Sequence, residues 1–306
     1  MDITVVIPVF NEENFIGGCL EAILSTLKNS GLIHQVIVVD NGSSDGTSKI
    51  LSGFKGIECF RIERATVAYA RNYGAEKAAG NFLAFIDGDV IVTQEWGDAM
   101  RSLVERGDQN ILTGFQCQSR IEGSWIERYW FSNIKSSHIN SGNLVISRSA
   151  FNFLRGFDAS LKTGEDVDIC ERSRLSDEVV LEKNEKFLAI HLDYPRTLRR
   201  FFWRELWHGE GDSKNLSFFL RSKVALLSSI YGVVSVGSLI LLMFGKFQEA
   251  IVALFLLIIF NFLVTVYRFF HKSISEVMFC TPLNFIYFFA RFLSIFTAIY
   301  KRNKKF

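Results

Sequence analysis

The chain has few of the features of a secreted or disulfide-stabilised protein. Its five cysteines are scattered, odd in number and without a Cys-x-x-Cys pair, so they indicate neither a disulfide framework nor a zinc site. Such thiols are typical of the reducing cytosol. The first residues, Met1 to Thr4, lack the basic segment of a signal peptide and continue directly into a strand pattern. We therefore expect no cleaved leader.

Two nucleotide-binding signatures are also absent. The sequence contains no Gly-x-Gly-x-x-Gly and no Gly-x-x-x-x-Gly-Lys-Ser/Thr, which argues against a dinucleotide dehydrogenase and a P-loop ATPase. Charge is divided unevenly along the chain. After Asp212 there are eleven basic and two acidic residues, whereas residues 1–212 carry a net charge of −7. An acidic N-terminal part does not suit a phosphate backbone, so we expect no nucleic-acid partner.

Short apolar runs alternate with helical patterns over the first ninety residues. The predicted strands are 3–7, 35–39 and 82–86, and the predicted helices are 11–24, 47–51 and 68–79. A further helix is expected over 165–173 and a strand over 181–190. This alternation predicts an α/β fold with a doubly wound, mainly parallel sheet. Such sheets bind ligands beyond the carboxyl ends of their strands, where the polar residues cluster in this sequence.

The composition changes after residue 212. The runs 224–244 and 250–267 carry no charge, and each is long enough to cross a bilayer as a helix. The third apolar stretch, 277–300, contains Pro282 and Arg291 and precedes a basic tail. Since basic tails favour the cytoplasmic side, we predict that this stretch is interfacial or re-entrant. Membrane lipids are thus expected partners of residues 213–306.

The predicted catalytic domain therefore comprises residues 1–212 and faces the cytoplasm from the cell membrane. Its last segment, 199–212, alternates Arg with Phe and Trp at its start. This pattern indicates an amphipathic helix at the membrane interface. The alternative is a surface helix that packs on its own domain.

Two acidic motifs suit metal binding and acid–base chemistry. Asp87 and Asp89 follow a fully apolar strand, and carboxylate oxygens suit Mn²⁺ or Mg²⁺ with diphosphate oxygens completing the shell. An Asp-x-Asp pair alone is also common in turns. Glu165 and Asp166 open a helix, where acidic residues also serve as caps. Asp166 is the candidate general base, and Asp168 is predicted to be structural.

Other candidates leave alternatives open. His191 is either a metal ligand or a lone surface histidine. Arg71 either binds phosphate or holds a carboxylate in place. Asp40, at the end of the second predicted strand, is placed to accept from the N–H of a uracil or a similar base. Three aromatic residues either stack on an acceptor sugar or pack a core: Trp125, Tyr129 and Trp130.

These segments together resemble the family 2 glycosyltransferases, which are inverting enzymes of the GT-A fold. The resemblance covers residues 3–191. The matching motifs are Val5-Val6-Ile7-Pro8-Val9-Phe10-Asn11-Glu12, Val38-Val39-Asp40-Asn41-Gly42-Ser43-Ser44-Asp45-Gly46-Thr47, Ala70-Arg71-Asn72-Tyr73-Gly74, Phe85-Ile86-Asp87-Gly88-Asp89, Ser141-Gly142-Asn143 and Gly156-Phe157-Asp158 leading to Gly164-Glu165-Asp166-Val167-Asp168.

The resemblance implies a role for each matching residue. The nucleotide-sugar would contact Pro8, Phe10, Glu12, Asp40, Arg71 and Asp87, with Asp87 facing the ribose or the metal. Asp89 and His191 would bind Mn²⁺ or Mg²⁺. Asp166 would be the base, with Glu165 beside it in the catalytic set. The implied partners are a nucleotide-sugar donor, with a UDP-sugar favoured, and a lipid-linked or other membrane-associated acceptor.

The chain also departs from parts of the family. The Gln-x-x-Arg-Trp element of processive synthases is missing, because the region reads Arg199-Arg200-Phe201-Phe202-Trp203-Arg204. Two membrane spans are also too few to build a polymer channel, so we expect a non-processive enzyme. The Asp-Ala-Asp-Leu-Gln form of dolichol-phosphate mannose synthases is absent as well, which makes a polyprenyl-phosphate acceptor less favoured but does not exclude it. The alternative function is a catalytically inactive scaffold at the membrane, and the complete set of carboxylates argues against it.

Overall fold

The computed structural model describes residues 1–134, 136–212, 219–220 and 222–303. The chain divides into two compact units. The N-terminal unit contains Met1–Arg120 and Lys135–Asp193, and the C-terminal unit contains Ile121–Ile134 and Tyr194–Phe306. The long part of the C-terminal unit thus starts at Tyr194, earlier than the expected start at residue 213. The unit also includes Ile121–Ile134 from the middle of the chain.

A seven-stranded sheet forms the centre of the N-terminal unit. Its strands are β1 (Ile3–Val9), β2 (His34–Asp40), β3 (Glu58–Arg61), β4 (Phe82–Ile86), β6 (Ile111–Gly114), β7 (Asn143–Ser147) and β8 (Val180–Lys183). Their order is β3-β2-β1-β4-β7-β6-β8. Only β7 runs antiparallel to its neighbours, β4 and β6. The prediction of a mainly parallel α/β sheet is therefore confirmed.

Helices connect these strands. They are α1 (Ile16–Ser30), α2 (Thr47–Leu51), α3 (Val67–Lys77), α4 (Gln94–Arg106), α6 (Arg148–Phe153) and α7 (Glu165–Arg174), while α5 (Trp125–Tyr129) belongs to the C-terminal unit. A second sheet pairs β5 (Val90–Val92) with β9 (Ala189–His191). The single strand expected over 181–190 is thus two strands, because a turn at Asn184 separates β8 from β9.

Burial explains why the central strands were visible in the sequence. Every residue of β1 and of β4 is buried, as expected for strands that helices cover on both faces. Gly74 allows α3 to lie close to β1, since a Cβ at that position would collide with the side chain of Val6. The close approach fixes α3, and with it Arg71, over the sheet.

In the described part of the C-terminal unit there are four long helices. They are α8 (Leu198–Asp212), α9 (Lys223–Met243), α10 (Phe247–Arg268) and α11 (Ile274–Asn303). Among the described residues, α9, α10 and the 25 residues Ile274–Ala298 of α11 are long and apolar enough to cross a membrane. The third segment therefore meets the length and composition criterion, and its path relative to a bilayer stays a prediction.

The aromatic residues of α5 and the segment after it pack inside the C-terminal unit. Trp130 is fully buried, with its ring 5.3 Å from that of Phe201 and 5.4 Å from that of Tyr287. Tyr129 stacks on Phe279 at 4.4 Å. Of the two alternatives for these residues, core packing describes Trp130 and Tyr129, whereas Trp125 is 39% exposed.

Candidate functional site

Three parallel strands place the candidate residues at one edge of the sheet. β1 is parallel to both β2 and β4, so their carboxyl ends lie on the same side. Phe10 and Glu12 follow β1, Asp40 ends β2, and Asp87 follows β4. Pro8 lies within buried β1 opposite Val39. The sequence prediction that these residues gather at one edge agrees with the sheet order.

The loops after β1 and β2 are joined by hydrogen bonds. The Asn11 backbone N–H donates to Ser43 Oγ at 3.0 Å, and Asn11 Oδ1 accepts from the Ser44 N–H at 2.8 Å. The Glu12 N–H donates to Thr47 Oγ1 at 2.8 Å. Asn11 has a φ of 57°, a region that Asn tolerates better than most residues. Together these bonds fix the backbone that presents Glu12.

Asp40 organises the second of these loops. Its Oδ1 accepts from the Ser43 N–H, and its Oδ2 accepts from Ser48 Oγ and Arg61 Nη1, all within 3.0 Å. Burial raises the pKa of Asp40, but the bonds from Ser43 and Ser48 and the charge of Arg61 outweigh it and hold the pKa below its ordinary value. Asp40 therefore has a structural role here, and its contact with a nucleobase stays a prediction.

Arg71 connects the two carboxylate motifs. Its Nη2 lies 2.5 Å from Asp87 Oδ1, and its Nη1 lies 2.8 Å from Glu165 Oε1. The Arg71 side chain is only 2% exposed. Ser141 Oγ also donates to Glu165 Oε1 at 2.8 Å. Of the two alternatives for Arg71, the structure favours holding carboxylates in place. Glu165 is likewise occupied by Arg71 and Ser141, which favours a positioning role over direct catalysis.

Gly142 completes the support of Asp87. Its carbonyl accepts from the Asp87 N–H at 3.4 Å, and a Cβ at Gly142 would collide with the Asp87 carboxylate. The next residue, Asn143, accepts from Trp96 Nε1 at 2.9 Å and donates to the Phe187 carbonyl at 2.7 Å. The Ser141-Gly142-Asn143 motif thus acts as a backbone support for the site.

Carboxylates concentrate negative charge around Glu12. Burial, followed by the charges of Asp89 and Asp87, raises the pKa of Glu12 to about 8. A carboxyl with such a pKa stays largely protonated at neutral pH. The strand-end region therefore has more negative charge than its own residues neutralise, and it suits a cation.

Asp89 and His191 lie side by side. The pairing of β5 with β9 places Val90 opposite His191, and His191 Nε2 is 3.3 Å from Asp89 Oδ2. The Leu192 N–H donates to the Asp89 carbonyl at 2.9 Å. His191 is therefore a neighbour of Asp89 and not a lone surface histidine. The sequence could not decide this point, because the two residues are far apart along the chain.

These two side chains fit a divalent cation that also binds phosphate. A carboxylate oxygen and an imidazole nitrogen suit Mn²⁺, and Mg²⁺ usually takes one or two carboxylates together with substrate phosphates and water. Within the described ranges, no three His, Cys, Asp or Glu side chains converge as a ligand set. A diphosphate would therefore have to supply part of the coordination shell.

Asp166 is paired with a residue that the sequence analysis did not select. Its Oδ2 lies 3.3 Å from His138 Nε2, and its Oδ1 accepts from the Val167 N–H at 2.9 Å. Burial raises the pKa of Asp166, but the hydrogen bond and charge of His138 outweigh it, so that the pKa lies below its ordinary value. No motif indicated His138, because it lies 28 positions before its partner.

The neighbouring Asp168 has a different environment. Its Oδ2 accepts from Arg172 Nη2 at 2.7 Å, one turn later in α7. Arg172 also donates to the carbonyls of Leu154 and Gly156. Asp168 thus holds an arginine that ties α7 to the preceding loop, as expected of a structural residue.

Phe10 carries a cation on its ring. It is 37% exposed, and the Arg64 guanidinium lies 3.4 Å from its ring centroid. A planar guanidinium over an aromatic ring forms a flat surface on which a base can stack. Arg64 was missed by the sequence analysis, because no spacing links it to Phe10.

The N-terminal part of the chain matches a known protein family. The profile of glycosyl transferase family 2 matches residues 4–160, which is just over half of the chain. The chain therefore belongs to glycosyl transferase family 2.

The relatives differ in how much of them is matched. Glycosyltransferase AglE of Haloferax volcanii is 39% identical over 56% of this chain and 60% of its own length. The undecaprenyl-phosphate 4-deoxy-4-formamido-L-arabinose transferase of Edwardsiella ictaluri is 30% identical over 41% of this chain and 40% of its own length. The chain thus spans less than two thirds of either relative.

A solved structure supports the fold. Mannosyltransferase PcManGT from Pyrobaculum calidifontis, in complex with GDP-Man and Mn²⁺, has a TM-score of 0.52. It shares 15% sequence identity, and the match covers 72% of this chain and 63% of that one. The prediction of a GT-A-type fold is confirmed.

Proposed function

We propose that the protein transfers a sugar from a nucleotide-sugar onto a hydroxyl of a membrane-associated acceptor, with inversion at the anomeric carbon. The observation that carries this proposal is the carboxylate arrangement around Arg71. One guanidinium holds Asp87, which follows β4, and Glu165, which precedes the candidate base Asp166. Donor-binding and acceptor-activating groups are thus set at a fixed separation, as a single displacement requires.

Asp166 is the base of the proposed reaction. The acceptor O–H bond breaks and its proton passes to Asp166, while the acceptor oxygen forms a bond to the anomeric carbon. The bond from that carbon to the diphosphate breaks, and its electron pair leaves with the diphosphate. A carboxylate with a lowered pKa is ionised and able to accept the proton at neutral pH. No covalent sugar–enzyme intermediate is needed.

Asp87 and Asp89 serve the donor side. Asp87 is one-third exposed while its Oδ1 is held by Arg71, so its other oxygen can accept from a donor hydroxyl. Asp89 and His191 would hold Mn²⁺ or Mg²⁺, which supplies neutralisation of the charge that develops on the diphosphate. Phe10, with Arg64 stacked on it, offers a surface for the base. A UDP-sugar is the first donor to test.

The acceptor class follows from the C-terminal unit. Three helices long and apolar enough to cross a membrane would keep the protein at a lipid surface. The matched relative from Edwardsiella ictaluri is named for an undecaprenyl-phosphate acceptor. We therefore propose a lipid-linked or other membrane-associated acceptor and a single addition per turnover, with the N-terminal unit facing the cytoplasm.

The contacts of α11 support an interfacial path for this helix. Thr281 and Asn284 bond to Asn261 of α10, whereas Phe288 stacks on Tyr231 of α9 at 4.6 Å. The hydroxyl of Tyr231 itself donates to Asn261 at 3.0 Å. Arg268, at the end of α10, also donates to Asn284 at 3.4 Å and lies 4.5 Å from the Tyr287 ring. Polar and charged groups therefore line this face of α11, which favours the membrane interface over the bilayer centre.

An ion cluster supports the same path. Glu205 of α8 is 2% exposed and lies 2.9 Å from Arg291 of α11 and 2.6 Å from Arg204. Burial raises the pKa of Glu205, but the two arginines outweigh it and lower the pKa to about 2. A charged cluster that joins α8 to α11 is expensive at the centre of a bilayer. We propose that both helices lie at the membrane surface.

Substitution of the base tests this function. Asp166→Asn should abolish transfer while nucleotide-sugar binding stays within about twofold of the wild type, because the base acts on the acceptor. Asp168→Asn is the matched control, since Asp168 contacts Arg172 and not the acceptor side. Transfer by Asp166→Asn at the wild-type rate would contradict the assignment of the base.

A further inference from the structure

A short side-chain relay ends at Asp166. His138 Nε2 lies 3.3 Å from Asp166 Oδ2, and His138 Nδ1 lies 3.1 Å from Ser136 Oγ. The side chains of His138 and Asp166 are 22% and 17% exposed, respectively. Ser136, His138 and Asp166 therefore form a continuous, largely buried chain of hydrogen-bonding groups. None of the motifs that carry the family resemblance contains Ser136 or His138.

The hydrogen bonds of the His138 ring define its two protonation states. An ionised Asp166 can only accept, so His138 Nε2 must carry a proton and donate it. Ser136 Oγ is 2.9 Å from the His138 carbonyl. When Ser136 donates to that carbonyl, it accepts from Nδ1–H and the ring is an imidazolium. When Ser136 donates to Nδ1, the ring is neutral. The Nε2–H bond to Asp166 is present in both states.

The backbone around His138 is fixed from two sides. Arg174, at the end of α7, donates to the Ser137 carbonyl, and Lys183 Nζ donates to the Ser136 carbonyl at 2.6 Å. The helix that bears Asp166 thus also holds the segment that bears His138. This anchoring holds the side chains of His138 and Asp166 next to each other without a bound substrate.

We propose that His138 is a positioning residue for the transfer reaction, which keeps Asp166 ionised and aims it at the acceptor hydroxyl. This inference rests on the proposed function, because it gives the candidate base a partner. His138 exchanges no proton with the substrate. It orients one carboxylate oxygen through Nε2–H, and its positive charge favours the ionised form of the carboxyl.

Other charged and titratable groups face the same pair. They lie on three elements and are Arg71 on α3, Glu165, Cys170 and Arg174 on α7, and Lys183 on β8. Arg71 acts on Asp166 through its charge, in the same direction as His138. Arg71 stays charged in every His138 variant, so a change in the pH profile on replacement of His138 reports the loss of the hydrogen bond and charge of His138.

The test compares the pH dependence of kcat for the wild type, His138→Ala and His138→Gln, using the full chain in lipid. His138→Ala should lower kcat by about 10- to 100-fold, a part of what a positioned base contributes. The KM for the donor should stay unchanged. The acidic limb of the profile should move to higher pH, and added imidazole should restore part of the rate.

The second variant and a control separate positioning from folding. His138→Gln keeps an N–H donor but not the positive charge, so it should lose less rate than His138→Ala while showing the same displacement of the acidic limb. His34→Gln is the matched control, because His34 begins β2, at the end of the strand opposite to Asp40, and its Nδ1 bonds to the Leu32 carbonyl. It should leave the profile unchanged. Donor binding by each variant reports on the fold of the N-terminal unit.

Two results would overturn the inference, and they are distinguishable. A wild-type protein that transfers sugar, together with a His138→Gln profile identical to that of the wild type, would refute the role of His138 alone. A wild-type protein that binds the donor but transfers no sugar to any acceptor would contradict the proposed function, and with it this inference.

Discussion

Replacing Arg71 by Met would separate the two carboxylate motifs of the site. The arginine is 2% exposed and bridges Asp87 to Glu165, whose side chain is 8% exposed. Methionine has a similar length but no charge and no hydrogen-bond donor. In Arg71→Met, Glu165 would keep the hydrogen bond from Ser141 and lose its ionic partner inside the protein.

The expected cost follows from the burial of the two partners. Removing one member of a buried ion pair costs about 3–5 kcal/mol, because the other charge is left uncompensated. Asp87 is 33% exposed and can be rehydrated, so we expect the lower end, about 3 kcal/mol. For a unit of this size, that loss lowers the Tm by about 6–12 °C.

Thermal unfolding of the full chain in detergent measures this effect. Arg106→Met is the control, since Arg106 is 44% exposed and its partners Asp108 and Glu182 are about as exposed. Surface pairs of this kind contribute about 0–1 kcal/mol. In Arg71→Met/Glu165→Gln, the stranded carboxylate becomes a neutral amide, and about 1–2 kcal/mol should return. A Tm for Arg71→Met equal to that of Arg106→Met would refute the reasoning.

Three further predictions address charge, backbone approach and topology. Because the pKa of Glu12 is raised to about 8, the folded chain binds more protons than the unfolded chain between about pH 4.5 and 8, so stability falls as pH rises through that window. Without divalent cations, the Tm of the wild type should fall more from pH 6 to pH 8 than that of Glu12→Gln, and equal slopes would contradict the raised pKa. Gly142→Ala should lower the transfer rate at least about tenfold, because the added Cβ would displace Asp87. Gly17→Ala is the control, since its Cβ would lie 3.9 Å from Ile50 and fit without a collision. Equal transfer rates for the two variants would contradict the collision at Gly142. In sealed vesicles of known orientation, a protease should remove a C-terminal epitope tag from the side that bears the N-terminal unit, and cleavage from the opposite side would mean that α11 spans the bilayer.

The sequence predicted the elements that are fully buried or strongly apolar. β1, β4 and the apolar cores of α9 and α10 appear as continuous hydrophobic runs. Helices cover both faces of the strands, and α9 and α10 are long and apolar enough to cross a membrane. β3 was missed, since most of its residues are exposed. The antiparallel direction of β7 was also beyond the sequence, because pairing direction depends on long-range topology and not on local pattern.

The same distinction applies to the site. Asp87, Asp89 and Asp166 follow strands or open a helix, and local motifs identified them. His138 approaches Asp166, Ser141 approaches Glu165 and Arg64 approaches Phe10 only through the fold, so no spacing indicated these contacts. The pairing of β9 with β5 sets His191 beside Asp89, and its role as a metal ligand stays a prediction. The sequence thus predicted the candidate reacting groups, and the structure shows which residues contact them.

The most direct test of the account is nucleotide release by the protein in native lipids. The full chain is incubated with Mn²⁺ and a panel of nucleotide-sugars, together with a lipid extract as the source of acceptor. We expect one donor to give much more nucleotide release than the others. This release should stop when the metal is chelated and in folded Asp89→Asn. Binding of a donor without release of nucleotide, in the presence of the extract, would contradict the claim that the protein is a glycosyltransferase and would favour a scaffold.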